Sequence, residues 1–264
     1  MDVAVSADGP ATRLNHPEFP LSSKYGDAWQ LQEHMGPNPL WFVELVSEKC
    51  PIEPGIRVLD LACGAGLTSI FLAREFAAEV WAVDMKLNRA AVHGRLRESG
   101  LTEQVNLVEA DARELPFAYE SFDVIICVNA YYLFGSDDSY LPYVSQFLRP
   151  GGRLGVTQVG FDDDPAPGTP RRSPGYYWDG QVVKARPLDW WKETWNACDD
   201  VVVEVAEAVP NAWENWLRWN EICLEEGAVQ LRRELEAETE YLRADGGDHF
   251  GFHRLVARKA ITRR

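Results

Sequence analysis

The stretch "RVLDLACGAGLTSIFLA", from Arg57 to Ala73, decides the fold of this chain. An apolar run ends in an acid, a glycine-rich turn follows, and a periodic apolar segment comes next. This order predicts a strand, a tight loop and a helix. Loops of this shape hold nucleotide-like ligands, so the stretch also predicts a ligand site at the end of the strand.

Strands and helices alternate around this stretch. Strand-like runs occupy residues 57–62, 79–84, 105–111, 122–130 and 153–161. Helical segments are predicted at residues 66–76, 86–99, 113–118 and 137–148. Near-continuous apolar strands that alternate with helices are typical of a parallel sheet covered on both faces. Because the crossovers of such sheets are right-handed, we expect a doubly wound α/β fold.

The pattern changes after Phe161, where a loop rich in Pro, Gly and Asp begins. The predicted elements that follow are a helix at 189–198, a strand at 201–209, a helical stretch at 212–244 that is broken near Gly227, and a last strand at 249–260. Two short N-terminal helices are predicted between Trp29 and Lys49, separated by "GPNP".

These patterns predict one domain over residues 25–264, preceded by a mobile arm at 1–24. Within the domain we expect a core at 50–161, a loop beside the substrate at 162–186, and a helical insertion at 211–246. The insertion is too long for a hairpin turn. It would act either as a lid or as the interface of a homodimer.

The charge of the chain restricts its partners. Lys and Arg number 26 and Asp and Glu number 41, which gives a formal net charge of −15. Such a surface disfavours nucleic acid and anionic membranes as partners. The five cysteines are scattered without CxxC spacing, so neither a disulfide framework nor a zinc site is predicted. We find no signal-peptide pattern and no apolar run long enough to span a membrane, and we expect a cytoplasmic location.

Five residues bear on the nucleotide ligand, and two of them, Asp60 and Asp111, discriminate between candidates. Gly64 and Gly66 form a GxG turn, and Asp84 ends the second strand 20 residues after Gly64, where a carboxylate accepts ribose hydroxyls. Asp60 precedes the glycines, where it would repel a pyrophosphate and suit an ammonium group. Asp111 follows the third strand and is placed for the amine of an adenine. A ligand with adenosine and an amino acid is predicted, which is S-adenosylmethionine.

Five segments in order resemble the motifs of the class I S-adenosylmethionine-dependent methyltransferases. They are "VLDLACGAG" (58–66), "VWAVD" (80–84), "VEADARELPF" (108–117), "FDVIICVNAYYLF" (122–134) and "LRPGGRLGV" (148–156). The resemblance covers residues 56–161 well and implies a seven-stranded sheet with a reversed last strand. A weaker likeness of "HMGPNPLWF" (34–42) suggests the bacterial enzymes that act on small molecules.

The resemblance also implies the residues of the site. The cofactor-binding residues are expected to be Asp60, Ala62, Gly64, Gly66, Asp84, Met85, Asp111, Ala112 and Asn129. The reaction implied is direct displacement at an activated sulfonium, in which the protein aligns the reactants and excludes water. His34 is the one histidine considered as a general base, with a structural role as the alternative. Tyr132 is the other catalytic candidate, because Tyr131 and Tyr132 directly follow the fourth strand, at the end of the sheet that faces the methyl group.

Several residues have simpler interpretations. Asp60 could only cap the loop, Asp84 could be a plain strand-end acid, and Asp111 with Glu114 forms a capping-box pattern. Cys63 fits a small packed residue, and Asn129 could act through its backbone. His249 and His253 are expected to be structural. The tryptophans at 213, 216 and 219 predict a packing stripe, with an aromatic wall around the acceptor as the alternative.

Two other functions stay open at this point. A nicotinamide-dependent oxidoreductase is disfavoured by Ser69 at the third glycine position and by the acid at Asp60. A non-catalytic module that binds S-adenosylmethionine or a partner is the second. The sequence contains no metal-ligand cluster, which disfavours a metal-dependent transfer, and the atom that accepts the methyl group is not identified.

Overall fold

A computed structural model describes residues 13–31, 36–161, 185–226, 232–248 and 250–261. These residues form a seven-stranded sheet with the order β3-β2-β1-β4-β5-β7-β6. The strands are β1 (Arg57–Leu61), β2 (Glu79–Asp84), β3 (Val105–Glu109), β4 (Phe122–Val128), β5 (Leu148–Phe161), β6 (Val201–Ala208) and β7 (Phe250–Lys259). The first five strands pair in parallel, and β7 runs antiparallel to β5 and β6. The predicted fold class and reversed last strand are confirmed.

Helices cover both faces of this sheet. They are α1 (Asp27–Gln30), α2 (Pro39–Ser47), α3 (Leu67–Phe76), α4 (Arg89–Ser99), α5 (Tyr131–Phe134), α6 (Tyr140–Ser145), α7 (Leu188–Asn196), α8 (Ala212–Glu226) and α9 (Arg232–Asp245). The central strand β1 is buried on both sides, because Val58 and Leu59 point into two different hydrophobic clusters. Among the described residues, no helix combines the length and apolar character that a membrane span requires.

Two predicted helices differ from the structure. Residues 113–118 form turns, because the side chain of Asp111 accepts a hydrogen bond from the backbone N–H of Arg113 at 2.9 Å and Pro116 follows within the segment. The helix predicted at 137–148 is shorter, since α6 ends at Ser145 and β5 already begins at Leu148. β5 is long because the "RPGG" turn continues into the strand, with a register shift opposite Phe122 and Val124.

The described part of the predicted mobile arm packs on the domain. Leu14 and Phe19 are buried. The backbone N–H groups of Leu21 and Ser22 donate to the Glu44 carboxylate of α2 at 2.9 and 2.7 Å. Residues 13–24 are therefore packed against the domain, residues 1–12 lie outside the described residues, and the mobility of the arm stays a prediction. The sequence of this segment has no hydrophobic periodicity and therefore did not predict these contacts. Each of them joins a single residue to an element that is distant in the sequence.

The helical insertion consists of α8 and α9, and the predicted packing stripe lies inside the domain. Trp216 and Trp219 are fully buried. Trp216 packs against Phe252 of β7 with ring centroids 5.3 Å apart, and Trp219 packs against Trp41 of α2 at 6.4 Å. Neither side chain is exposed for contact with a second copy. A homodimer through other surfaces stays a prediction.

Candidate functional site

The loop after β1 has an unusual backbone. Ala62, Gly64 and Gly66 have φ values of 62°, 53° and 78°, all in the left-handed region. The turn is tied down by the N–H of Gly66, which donates to the carbonyl of Cys63 at 2.9 Å, and by the N–H of Cys63, which donates to Val83 of β2 at 2.9 Å. Glycine adopts this conformation freely, whereas alanine is strained there.

Replacing Ala62 by glycine should therefore stabilise the fold. A left-handed alanine costs about 1–2 kcal/mol, and the greater freedom of glycine in the unfolded chain offsets about half of this. We expect Ala62→Gly to raise the free energy of unfolding in urea by up to about 1 kcal/mol. Ala77→Gly, at φ 51° and far from the loop, should behave alike, and Ala90→Gly on the exposed face of α4 should destabilise. An equal loss in all three variants would contradict the strain.

A cavity of about 460 Å³ opens beside this loop, at the carboxyl ends of β1, β2 and β4. Its walls come from the loop after β1 and from the segments that follow β2, β3 and β4, with Gly36, Pro37 and Pro39 closing one side. Of the residues predicted for the cofactor, the cavity is lined by Ala62, Gly64, Asp84, Met85, Asp111, Ala112 and Asn129. Ligands in open α/β sheets bind at this edge of the sheet.

Asp84 lies in the wall of the cavity and also organises the loop. Its Oδ2 accepts a hydrogen bond from the N–H of Gly64 at 3.0 Å, and its Oδ1 accepts one from the N–H of Lys86 at 2.8 Å. Each carboxylate oxygen has a further lone pair, and the side chain is only partly buried. Asp84 therefore retains the capacity to accept two hydroxyl hydrogens from a ligand.

Asp60 lies behind the loop and is not part of the cavity wall. Its Oδ2 accepts hydrogen bonds from the hydroxyls of Thr68 and Ser69 at 2.6 and 2.5 Å, which joins the loop and α3 to β1. Burial raises the pKa of this carboxyl to about 6, against the opposing effect of the two hydroxyl donors. Both donors are side-chain hydroxyls of α3 rather than N–H groups of the loop, and Oδ1 receives no hydrogen bond from the described residues.

Asp111 lines the cavity but is paired with Arg113. The guanidinium donates to both carboxylate oxygens, at 2.9 Å from Nε and 2.6 Å from Nη2. These bonds lower the pKa of Asp111 to about 2. The ion pair is solvent-accessible. The contact of Asp111 with an adenine amine stays a prediction. It requires the Asp111 carboxylate to accept from the amine as well as from the Arg113 guanidinium.

Gly66 packs against Val92 of α4, whereas the sequence predicts it as a cofactor-binding residue. It is absent from the cavity wall, and a Cβ at this position would lie 2.6 Å from Cγ1 of Val92 in α4. The glycine therefore permits close packing between the loop and α4. A role of Gly66 in cofactor binding stays a prediction, and the loop residues that line the cavity are Ala62, Cys63, Gly64 and Ala65.

The end of β4 supplies the remaining predicted residues. Asn129 has a φ of 52°, its N–H donates to Thr157 at 2.6 Å, and its Oδ1 accepts from the N–H of Val159 at 3.2 Å. Its side chain is thus engaged with β5, and its backbone adjoins the cavity. Tyr132 is buried and lines the cavity. His34 lies outside the described residues.

Sequence reasoning missed the contribution of the segment before α2. Gly36 lines the cavity, and its carbonyl accepts a hydrogen bond from Nε1 of Trp219 in α8 at 2.9 Å. The side-chain amide oxygen of Asn38 accepts from the N–H of Leu40 at 2.9 Å and so begins α2. The sequence "GPNP" predicted a break between two helices, but it did not predict that this segment lines the cavity. The described residues contain no cluster of three potential metal ligands.

A family model described as "Methyltransferase domain" matches residues 58–152. This range runs from β1 into β5 and contains the loop, Asp84, Asp111 and Asn129. Residues 58–152 therefore match a methyltransferase domain, and the resemblance to the class I S-adenosylmethionine-dependent methyltransferases found in the sequence is confirmed.

Curated methyltransferases match part of the chain. "Methyltransferase GfsG" of Streptomyces halstedii is 33% identical over 117 residues, which are 44% of this chain and 42% of that protein. "Fatty-acid O-methyltransferase" of Mycolicibacterium smegmatis is 33% identical over 37% of this chain and 35% of its own length. "Ubiquinone/menaquinone biosynthesis C-methyltransferase UbiE" of Idiomarina loihiensis is 34% identical, over 39% and 42%. The matches span less than half of each of these relatives.

Solved structures share the fold of this chain over a longer range. The "[4+2]-Cyclase SpnF" superposes with a TM-score of 0.66 and 22% identity, covering 83% of this chain and 80% of that one. A geranyl diphosphate methyltransferase in complex with S-adenosylmethionine gives 0.63 and 17%, covering 83% and 84%. At these identities the likeness concerns the fold alone. One relative in fold is named as a cyclase, so activity must be argued from the site.

Proposed function

We propose that this protein transfers a methyl group from S-adenosylmethionine to an oxygen or carbon atom of a largely apolar small molecule. The observation that carries the proposal is Asp84, which ends β2, lines the cavity and hydrogen-bonds the glycine loop directly. A carboxylate in this position fits the two hydroxyls of a ribose. The family relatives named for fatty acids and for ubiquinone support an apolar acceptor.

The donor set of the cavity fits S-adenosylmethionine. Asp84 would hold the ribose, and Met85 and Ala112 provide apolar surface for a base on either side of the strand ends. Asp60 would balance the ammonium group from behind the loop, through Oδ1, which accepts no hydrogen bond within the described part of the chain. Gly64 carries no side chain and allows the backbone to approach the ligand.

The bound sulfonium would supply an already activated methyl group. The residues of the protein then have three tasks: to fix the donor, to align the acceptor, and to keep water away. Tyr132, Leu133 and Phe134 line the cavity from α5, directly after Asn129 at the end of β4. They form an apolar wall where the acceptor would meet the methyl group. Their position supports displacement without a metal ligand from the protein.

A screen for turnover tests the proposal. The protein is incubated with S-adenosylmethionine and pools of hydroxylated and quinone-like apolar compounds, release of S-adenosylhomocysteine is measured, and products gain 14 Da by mass spectrometry. Asp84→Asn serves as the matched variant, since it keeps the shape but removes the charge, and its turnover should fall. Tight binding of S-adenosylhomocysteine without turnover on any pool would favour a non-catalytic or cyclase-like role. Preference for NADH over S-adenosylhomocysteine would favour the oxidoreductase.

The ionisation of Asp60 should make cofactor binding depend on pH. An ammonium group favours the charged carboxylate, so the protein must lose the proton of Asp60, whose pKa is about 6, on binding. We expect the affinity for S-adenosylhomocysteine to rise about tenfold between about pH 5 and 7, as the ionised fraction grows. Calorimetry at several pH values measures this change.

Asp60→Asn is the control for this dependence, because it keeps the size of the side chain and cannot ionise. Its affinity should be lower at pH 7 and nearly independent of pH over the same range. A tenfold rise that survives in Asp60→Asn would assign the titration to another group and would contradict the role of Asp60.

A further inference from the structure

Two fully buried polar side chains in the sheet carry polar atoms without a hydrogen-bond partner among the described residues. Gln158 of β5 is 0% exposed and His253 of β7 is 1% exposed. In this part of the chain, neither the amide nitrogen nor the amide oxygen of Gln158 is hydrogen-bonded, and neither is Nδ1 of His253. Nearly all buried polar groups in proteins are paired, and leaving one unpaired costs about 1–3 kcal/mol. Three such atoms together therefore indicate a site for a polar group from outside the chain.

The two side chains share one face of the sheet. Gln158 and His253 are directly paired across β5 and β7, so their side chains point the same way. The neighbouring Thr157 points to the opposite face, where its hydroxyl donates to Phe42 of α2 at 3.3 Å. A Cβ on Gly160 would overlap the ring of His253. The glycine thus leaves the space that the imidazole occupies.

This pair lies beside the cofactor cavity. β4 ends with Val128 paired to Thr157, so Gln158 is the first residue of β5 beyond the end of β4. Asn129, in the cavity wall, accepts from Val159 and donates to Thr157, one residue on each side of Gln158. Substrates of open α/β sheets bind beyond the carboxyl ends of such strands.

Helix α7 lies near His253, since Lys192 and Asp189 of this helix act on the pKa of the imidazole with opposite effects. The same helix supplies Trp191 and Trp195, which pack around Tyr131 with ring centroids 5.8 and 5.6 Å apart. Within the described part of the chain, the Nε1 atoms of both tryptophans and the Tyr131 hydroxyl also have no hydrogen-bond partner. Burial lowers the pKa of His253 to about 4, and Lys192 acts in the same direction. The imidazole is therefore neutral near pH 7 and offers one donor and one acceptor. Such a lining suits a neutral ligand better than an ion.

We propose that Gln158 and His253 bind a hydroxyl or carbonyl group carried by the apolar acceptor. The amide of Gln158 provides a donor and an acceptor, and the imidazole provides one further bond. An acceptor that carries this group is held through it while its apolar part contacts the aromatic residues. This inference rests on the proposed function, since it assigns an acceptor subsite beside the cofactor cavity.

Phenol and toluene are the probes for this site, because they differ only by a hydroxyl in place of a methyl group. Each is titrated into ¹⁵N-labelled protein saturated with S-adenosylhomocysteine, and the side-chain amide resonance of Gln158 is followed by NMR. We expect phenol to shift this resonance and toluene to leave it in place. In Gln158→Met the affinity for phenol should fall about tenfold, the scale of one lost hydrogen bond in a buried site.

Gln146→Met is the matched control, since the same change falls on an exposed residue at the end of α6. It should leave the affinity for phenol unchanged, and both variants should bind S-adenosylhomocysteine like the wild type. The site is refuted if toluene shifts the Gln158 resonance as much as phenol does, or if Gln158→Met keeps its affinity for phenol. A buried water on the Gln158 amide that phenol does not displace refutes it as well.

The experiment distinguishes failure of the acceptor subsite from failure of the proposed function. If S-adenosylhomocysteine binds and phenol does not reach Gln158, the acceptor subsite is wrong while the proposed function stands. If S-adenosylhomocysteine itself does not bind, both are wrong. The comparison of phenol with toluene in the wild-type protein requires no variant to fold.

Discussion

Replacing Asp84 by alanine should weaken the binding of S-adenosylhomocysteine by roughly 1.5–3 kcal/mol, or about 10- to 150-fold. Two losses add up in this variant. The ribose hydroxyls lose a charged acceptor, and the N–H of Gly64 loses its bond to Oδ2 at 3.0 Å, which loosens the loop in the empty protein. Isothermal calorimetry measures the dissociation constant, and circular dichroism checks that the variant is folded.

Glu79→Ala is the matched control for Asp84→Ala. Glu79 is an exposed acid at the opposite end of the same strand, so the variant makes the same change of charge without touching the cavity. Its dissociation constant should equal that of the wild type. If folded Asp84→Ala binds S-adenosylhomocysteine as tightly as the wild type does, the ribose is not bound by Asp84.

Replacing Gly66 by alanine should destabilise the fold by about 2–5 kcal/mol, which is the sum of a left-handed alanine and an overpacked contact. Its φ is 78°, and the new Cβ would lie 2.6 Å from Cγ1 of Val92. Both effects act on the packing of the loop against α4. Urea denaturation followed by tryptophan fluorescence gives the change in the free energy of unfolding.

A double-mutant cycle separates the two contributions. Val92→Ala removes the atom that the new Cβ would meet, so Gly66→Ala should cost less in that background, by about 1–3 kcal/mol. Gly94→Ala in the same helix meets open space and should not destabilise. If the cost of Gly66→Ala is the same with and without Val92→Ala, the steric contact is not its cause.

The sequence predicted the sheet well because its signals are local and strong. Near-continuous apolar runs define β1 to β4, and each ends within two residues of the predicted position. The relation between Gly64 and Asp84 was also readable, since a loop and the next strand end meet at one edge of a parallel sheet. In the structure, the N–H of Gly64 donates a hydrogen bond of 3.0 Å to the Asp84 carboxylate, as residues at one edge of the sheet can.

Other features depended on contacts between distant elements and were not readable. The left-handed φ of Ala62 has no local signal, because alanine is a common residue in helices and strands. The direction of Gly66 toward Val92 depends on how α4 crosses the loop. The turn at 113–118 arises because the side chain of Asp111 competes for the backbone of Arg113.

The buried pair in β5 and β7 illustrates the same limit. The alternating position of His253 in the last strand predicted a structural role. No role was predicted for Gln158, because a single glutamine in an apolar strand belongs to no sequence motif. Only the register between the two strands brings them together. Their unpaired polar atoms become visible once burial and hydrogen bonds are known.

The most direct test is a crystal structure of the complex with S-adenosylhomocysteine. The account predicts the ribose hydroxyls on the Asp84 carboxylate, the adenine between Met85 and Ala112, and the amino group beside the loop that covers Asp60. The same ligand bound elsewhere, or in this cavity with its ribose away from Asp84, would contradict the account.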